Sequence, residues 1–153
     1  MDIRLIFKKD LTAINRIYNQ AVHQKFCTAH LSPLDMNQRE AWFKLHIPDR
    51  FPVYVATHNE LVTGWVSLGS YRTGRQALAH VAEVSYYVDA KERGRGIGSM
   101  LLEHARAIAP SFDFNVLIIL KFMRSRFKHD FTFAYNIDII GNRHCHREIL
   151  LNQ

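Results

Sequence analysis

The feature that most restricts the fold is a run with glycine at every second position, Arg93-Gly94-Arg95-Gly96-Ile97-Gly98, caught between a strand pattern and a helix pattern. Upstream, Val81-Ala82-Glu83-Val84-Ser85-Tyr86-Tyr87-Val88 has the β-branched and aromatic content of a strand. Downstream, residues 99–109 place Met100, Leu101, Leu102, Ala105 and Ile108 on one helical face, and Pro110 ends the period. Within six residues the chain must turn sharply and start a helix. Glycine lets successive main-chain N–H groups face one point at close range. The helix N-terminus aims its unpaired donors and positive dipole end at the same point. Arg93 and Arg95 add charge beside that nest, so the arrangement suits a diphosphate. A plain turn with solvated arginines is the alternative. The run lacks the Gly-Lys-Ser/Thr ending of a nucleoside-triphosphate loop. The dinucleotide fingerprint needs a parallel strand-helix-strand unit near the chain start.

The rest of the chain supplies a sheet and helices around this turn. Residues 3–7 alternate as a first strand, and Asp10 is expected to cap a helix carrying Leu11, Ile14, Ile17, Tyr18, Ala21 and Val22 on one face. Asp35 with Gln38 forms a capping-box pattern opening a second helix, with Met36, Trp42, Phe43 and Leu45 at helical spacing. Residues 53–56 and 61–68 read as a hairpin about His58-Asn59-Glu60, residues 70–79 as a surface loop, and residues 116–120 as a buried strand. This order predicts one α+β domain over residues 1–153, a mixed, largely antiparallel central sheet flanked by helices. Strands are also expected beyond residue 120, where the pattern weakens.

Composition narrows the partners. A formal charge of +6 points to an anionic partner or to a surface kept soluble. A nucleic-acid-binding domain ranks last, because no aromatic-plus-basic stacking pattern or recognition helix is present. Apolar runs are too short to span a bilayer, and no charged-then-apolar leader opens the chain. Two cysteines, Cys27 and Cys145, make no disulfide framework, so a cytoplasmic setting is expected. His144-Cys145-His146 lacks a second pair at zinc-like spacing, and no metal is expected.

Arg93-x-x-Gly96-x-Gly98, after a strand ending Tyr87-Val88-Asp89 and before a helix, resembles the acetyl-CoA signature of the GNAT superfamily of N-acetyltransferases. The resemblance narrows to the phosphinothricin acetyltransferase-like branch through Ile17-Tyr18-Asn19-Gln20-Ala21-Val22, Ala41-Trp42-Phe43, Gly64-Trp65-Val66-Ser67-Leu68-Gly69 and the strand 82–89. It covers residues 3–120. It implies direct transfer of an acetyl group from acetyl-CoA to the primary amine of a small amino-acid-like molecule. It implies a bulge in strand 81–88, whose N–H groups at Tyr86, Tyr87 and Val88 meet the pantetheine arm and polarise the thioester. The diphosphate is expected at Arg93, Gly94, Arg95, Gly96, Ile97, Gly98 and Ser99. Glu83 matches the position of a general base, with a structural salt bridge as the alternative. Tyr71, Arg72 and Arg75 match the loop bordering the acceptor pocket, where either arginine would hold a carboxylate or phosphinate or simply be exposed. Leu78 and Val81 depart from the aromatic residue and Thr common in relatives. As many such proteins dimerise, the resemblance admits a homodimer as well as a monomer.

The family pattern breaks off near Lys121: the Asn, the following helix and the Gly-Phe pair are missing, and Tyr135 has no matching setting. A shifted reading frame or a divergent C-terminus accounts for the break. With a disrupted C-terminus, a catalytically silent coenzyme-binding domain is the alternative to an enzyme.

Overall fold

The computed structural model describes residues 1–24, 28, 30–123 and 134–141, with side chains described as far as residue 119. Six strands form one sheet in chain order: β1 (Asp2–Leu5), β2 (Val53–His58), β3 (Leu61–Ser70), β4 (Val81–Val88), β5 (Val116–Met123) and β6 (Ala134–Gly141). Every neighbouring pair is antiparallel except β4 and β5. That exception follows from connectivity, because β4 reaches β5 through a helical crossover whereas tight turns reverse direction. Helices α1 (Leu11–Gln24) and α2 (Met36–Leu45) belong to one face of the sheet and α3 (Ile97–Ile108) to the other.

The period of two along each strand builds both cores. On the α3 face, Val66, Leu68, Ala82, Val84, Leu117 and Ile119 enclose Ile97, Leu101 and Ala105. On the other face, Val53, Val55 and Trp65 pack under Leu11, Ile14, Ile17 and Tyr18. Between β2 and β3, Asn59 and Glu60 have φ of 47° and 64°, the two left-handed residues of a type I′ hairpin turn.

Three local expectations change. β1 stops at Leu5, and Asp10 does not cap α1. Its carboxylate turns back to accept from the Phe7 N–H at 2.8 Å and from Arg4 at 2.7 and 3.0 Å, closing a 3-10 turn over Lys8–Asp10. Burial alone would raise this carboxyl, but the bonds from Arg4 and Phe7 outweigh it and hold the pKa below its usual value. The capping box of α2 forms as expected: Gln38 N–H donates to Asp35 at 2.8 Å and Asp35 N–H to Gln38 at 2.9 Å. Its buried face differs, however. Leu45 is 74% exposed, while Arg39 is only 1% exposed.

The Arg39 guanidinium lies 4.7 Å from the ring centres of both Tyr18 and Trp42, and 5.6 Å from that of Trp65. Its Nε donates to Asn15 Oδ1 at 3.2 Å, whereas Nη2 has no partner among the described residues. Burial lowers its pKa to about 10. Aromatic faces offset part of the cost of this desolvated cation.

Candidate active site

β4 and β5 pair only at Val81↔Val116, Ala82↔Leu117 and Glu83↔Ile118. Beyond Glu83 the two strands part, and the free edge of β4 runs to the glycine turn. Arg50 stitches the closed end of this fork. Its Nη1 donates to the Phe112 carbonyl and its Nη2 to the Ala79 carbonyl at 2.6 Å, over the Phe114 ring. The Asn115 N–H adds a bond to the His80 carbonyl at 3.0 Å.

The expected bulge in β4 is absent against β3, where the register runs unbroken from Gly64↔Val88 to Ser70↔Ala82. The parting from β5 is what frees the edge. Strand alternation decides which donors face it. The Asp89 N–H bonds Thr63 O at 2.9 Å, and the Tyr87 carbonyl lies toward Gly64 of β3. Odd-numbered residues therefore turn their main chain to β3, and Val84, Tyr86 and Val88 turn theirs to the fork. The expectation of a Tyr87 donor is corrected, and Val84 is added. Sequence carries the period of two but not its parity, which the pairing with β3 sets.

The glycine run does three different things. Gly94 and Gly96 have φ of 79° and 78°, and a Cβ on either would meet nothing within 4 Å, so both leave open space over the turn. Gly98 is helical and faces β4; a Cβ there would lie 3.4 Å from Tyr86 Cε2, an ordinary contact. The helix begins at Ile97, two residues before the expected start, with Gly96 at its N-cap. Met100 N–H bonds Gly96 O at 3.0 Å, while among the described residues the N–H groups of Ile97, Gly98 and Ser99 have no main-chain acceptor. These orphaned donors in open space fit an anionic diphosphate. The charges beside them are partly committed: Arg95 pairs with Glu92 at 2.9 Å, and Arg93 Nη1 donates to Gln24 at 3.1 Å.

Gly64 was not singled out for this site by sequence, although it seats the whole turn. A Cβ there would lie 3.0 Å from Tyr87 O, 3.1 Å from Leu101 Cδ1 and 3.3 Å from Ile97 Cγ2. Only glycine allows α3 to start this close to β3.

Glu83 is the last β4 residue paired before the fork, and its neighbour on β3 is Gly69, which has no side chain. It is half-buried, and burial raises its pKa above the usual carboxylate value. No salt bridge to Glu83 is found among the described residues, which disfavours the structural alternative. The loop from Ser70 leaves β3 beside Glu83, but Arg72 and Arg75 on it are exposed. Arg72 lies 5.4 Å from the centre of the half-buried Tyr71 ring, and no hydrogen bond or ion pair among the described residues links these three to Glu83. No group of three or more His, Cys, Asp or Glu able to hold a metal occurs among the described residues, and His144-Cys145-His146 lies outside them, as does Cys27. No helix among the described residues is long and apolar enough to cross a membrane.

The chain is similar to known proteins in sequence and in fold. The chain is 38% identical over 123 residues, 80% of its length and 74% of the other, to YwnH of Bacillus subtilis (strain 168), named provisionally as a phosphinothricin acetyltransferase. It is 36% identical over 102 residues to the L-amino acid N-acyltransferase MnaT of Escherichia coli (strain K12), covering 67% of this chain and 59% of that one. Among solved structures, YncA from Salmonella typhimurium with its cofactor acetyl-CoA superposes with a TM-score of 0.75 at 30% identity, over 80% of this chain and 70% of that one. Residues 14–128, which include the fork, the glycine turn and α3, match the acetyltransferase (GNAT) family, and the chain belongs to that family.

Proposed function

We propose that the protein is an acetyl-CoA-dependent N-acetyltransferase whose acceptor is the primary amine of a small amino-acid-like molecule of the phosphinothricin or methionine sulfoximine type, acting in the cytoplasm. The observation that carries this reading is the fork: a free strand edge with Glu83 at its apex and orphaned helix-terminal amides at its mouth. The names of the relatives, an L-amino acid N-acyltransferase and L-methionine sulfoximine/L-methionine sulfone acetyltransferases, support the acceptor class.

Bound acetyl-CoA supplies an activated acetyl group as a thioester. The N–H groups of residues 97–99, behind the open turn at Gly94 and Gly96, hold its diphosphate. Main-chain donors of Val84, Tyr86 and Val88 line the parted edge and orient the arm; one of them at the acyl oxygen stabilises developing negative charge. An ammonium has no lone pair, so Glu83 takes a proton from the acceptor, directly or through one water. Its raised pKa brings a carboxylate closer to the strength this step needs. The exposed Arg72 and Arg75 are the cations available for the acceptor's own acidic group.

Release of free thiol from acetyl-CoA by the purified protein tests the reading, with L-methionine sulfone, phosphinothricin and the common amino acids as acceptors. Acceptor-dependent thiol release is expected. Stabilisation by coenzyme A without thiol release from any acceptor would reduce the protein to a coenzyme-binding domain.

A further inference from the structure

The segment that leads into the glycine turn is held from outside the turn. Asp89 is buried at 6% exposure and its carboxylate meets Arg16 Nη2 of α1 at 2.6 Å. One helical turn later, Gln20 Oε1 accepts the Ala90 N–H at 2.9 Å, and its Nε2 reaches toward Asp89 at 3.5 Å. One turn further, Gln24 Oε1 accepts from Arg93 Nη1 at 3.1 Å, while Arg93 Nε donates to the Val88 carbonyl at 3.4 Å. Residues 16, 20 and 24 recur at the four-residue spacing that aligns side chains along one helix face. The helix that carries them is fixed in the core by Ile14, Ile17, Ala21 and Val22. Asp89 also accepts the Lys91 N–H at 3.1 Å, which caps the short 3-10 turn over Ala90–Glu92. Burial alone would raise its carboxyl, but the Lys91 N–H and Arg16 hold it below the usual range, so the ion pair stays charged at neutral pH.

We propose that Arg16, Gln20 and Gln24 are positioning residues for the diphosphate cradle, fixing the main chain of residues 89–93 so that the amides behind Gly94 and Gly96 are already gathered before a ligand arrives. The proposal rests on the cradle reading above. A stretch with two left-handed glycines has more conformational freedom to lose than any other, and a binding site made of its amides weakens unless something outside it removes that freedom in advance. The downstream side is seated by Gly64 under α3. The upstream side is held by these three side chains, through the Asp89 carboxylate, the Ala90 N–H and the Arg93 guanidinium respectively.

The test compares Gln20→Ala, Arg16→Ala and Arg16→Lys with the parent protein. Affinity for coenzyme A is measured against affinity for pantetheine, and turnover of acetyl-CoA against turnover of S-acetylpantetheine, which lacks the diphosphate. Gln20→Ala and Arg16→Ala are expected to weaken coenzyme A binding and raise the acetyl-CoA KM about five- to tenfold, the loss of one or two hydrogen bonds' worth of ordering, with kcat retained. Pantetheine affinity and the KM for S-acetylpantetheine stay unchanged, and Arg16→Lys recovers most of the loss. Equal losses with both thioesters, or none with either, overturn the proposal. Hydrogen exchange in the free protein separates its failure from that of the cradle reading. Faster exchange at the hydrogen-bonded amides of Glu92 and Met100, which flank the turn, in Gln20→Ala supports positioning even if coenzyme A does not bind. Unchanged exchange there overturns positioning even if coenzyme A binds well.

Discussion

Replacing Gly64 by alanine adds one methyl group at the most crowded point behind the cradle. The new Cβ would lie 3.0 Å from the Tyr87 carbonyl oxygen, 3.1 Å from Leu101 Cδ1 and 3.3 Å from Ile97 Cγ2. The first of these is backbone in a paired strand and has no rotamer to change, so β3 and β4 must part there by a few tenths of an ångström while α3 shifts to relieve Leu101 and Ile97. Overpacking of this kind costs about 1–3 kcal/mol. The lower conformational freedom of alanine in the unfolded chain returns about 0.4–1 kcal/mol. The net loss is then on the order of 1–2 kcal/mol, a fall in Tm of roughly 2–8 °C for a chain of this size. Gly69 on the same strand provides the control, because a Cβ there has only the Glu83 carbonyl oxygen nearby, at 4.0 Å. Gly69→Ala is expected to be neutral or slightly stabilising by the same unfolded-state effect. Thermal unfolding followed by circular dichroism measures both, and coenzyme A titration of Gly64→Ala checks that the shift of α3 weakens binding as well. Equal stability of the two variants would refute the reasoning, since it separates them by contact geometry alone.

Gly96→Glu is expected to fold, because a side chain there points into open space, at about 1–2 kcal/mol for its left-handed φ of 78°. Its carboxylate should abolish coenzyme A binding in calorimetric titration; unchanged affinity would remove the cradle. Glu83→Gln should lower kcat by roughly a hundredfold or more while sparing acetyl-CoA affinity. Since Glu83 must be ionised to accept a proton and burial raises its pKa, kcat/KM of the parent should fall with pH at a higher pH than for an ordinary carboxylate. The variant should lack that acid limb. A folded pKa above the unfolded one makes the ionised form a cost to stability that grows as pH rises through the folded pKa, so Glu83→Gln should also be the more stable protein at pH 7. Arg39→Lys should destabilise by about 2 kcal/mol in urea unfolding, because an ammonium is more strongly hydrated and cannot lie flat between Tyr18 and Trp42. An unchanged midpoint would show that stacking of the guanidinium does not matter.

The elements that carried a strong period were legible from sequence. β4 has the expected bounds, the Asp35–Gln38 box forms, and the glycine turn lies between a strand and a helix, because local patterns alone specify these. What escaped depended on contacts distant in sequence. Asp10 is an ordinary N-cap candidate until Arg4 of β1 comes alongside it. Arg39 sits at a position that polarity assigns to solvent, yet three aromatic rings from α1, α2 and β3 enclose it. Gly64 is one glycine among seven until α3 is folded over it. Which amides of β4 face the fork was not visible either, since that parity is set by pairing with β3.

The fork also divides the sheet mechanically. Beyond Ile118, β5 has left β4 behind and, among the described residues, pairs with β6, in register from Ile119↔Asp138 to Met123↔Ala134. That wall is a two-strand cantilever, and an isolated strand pair is only marginally stable in water. Among the described residues, the far wall of the fork therefore rests on its pairing with β6 and not on the glycine turn.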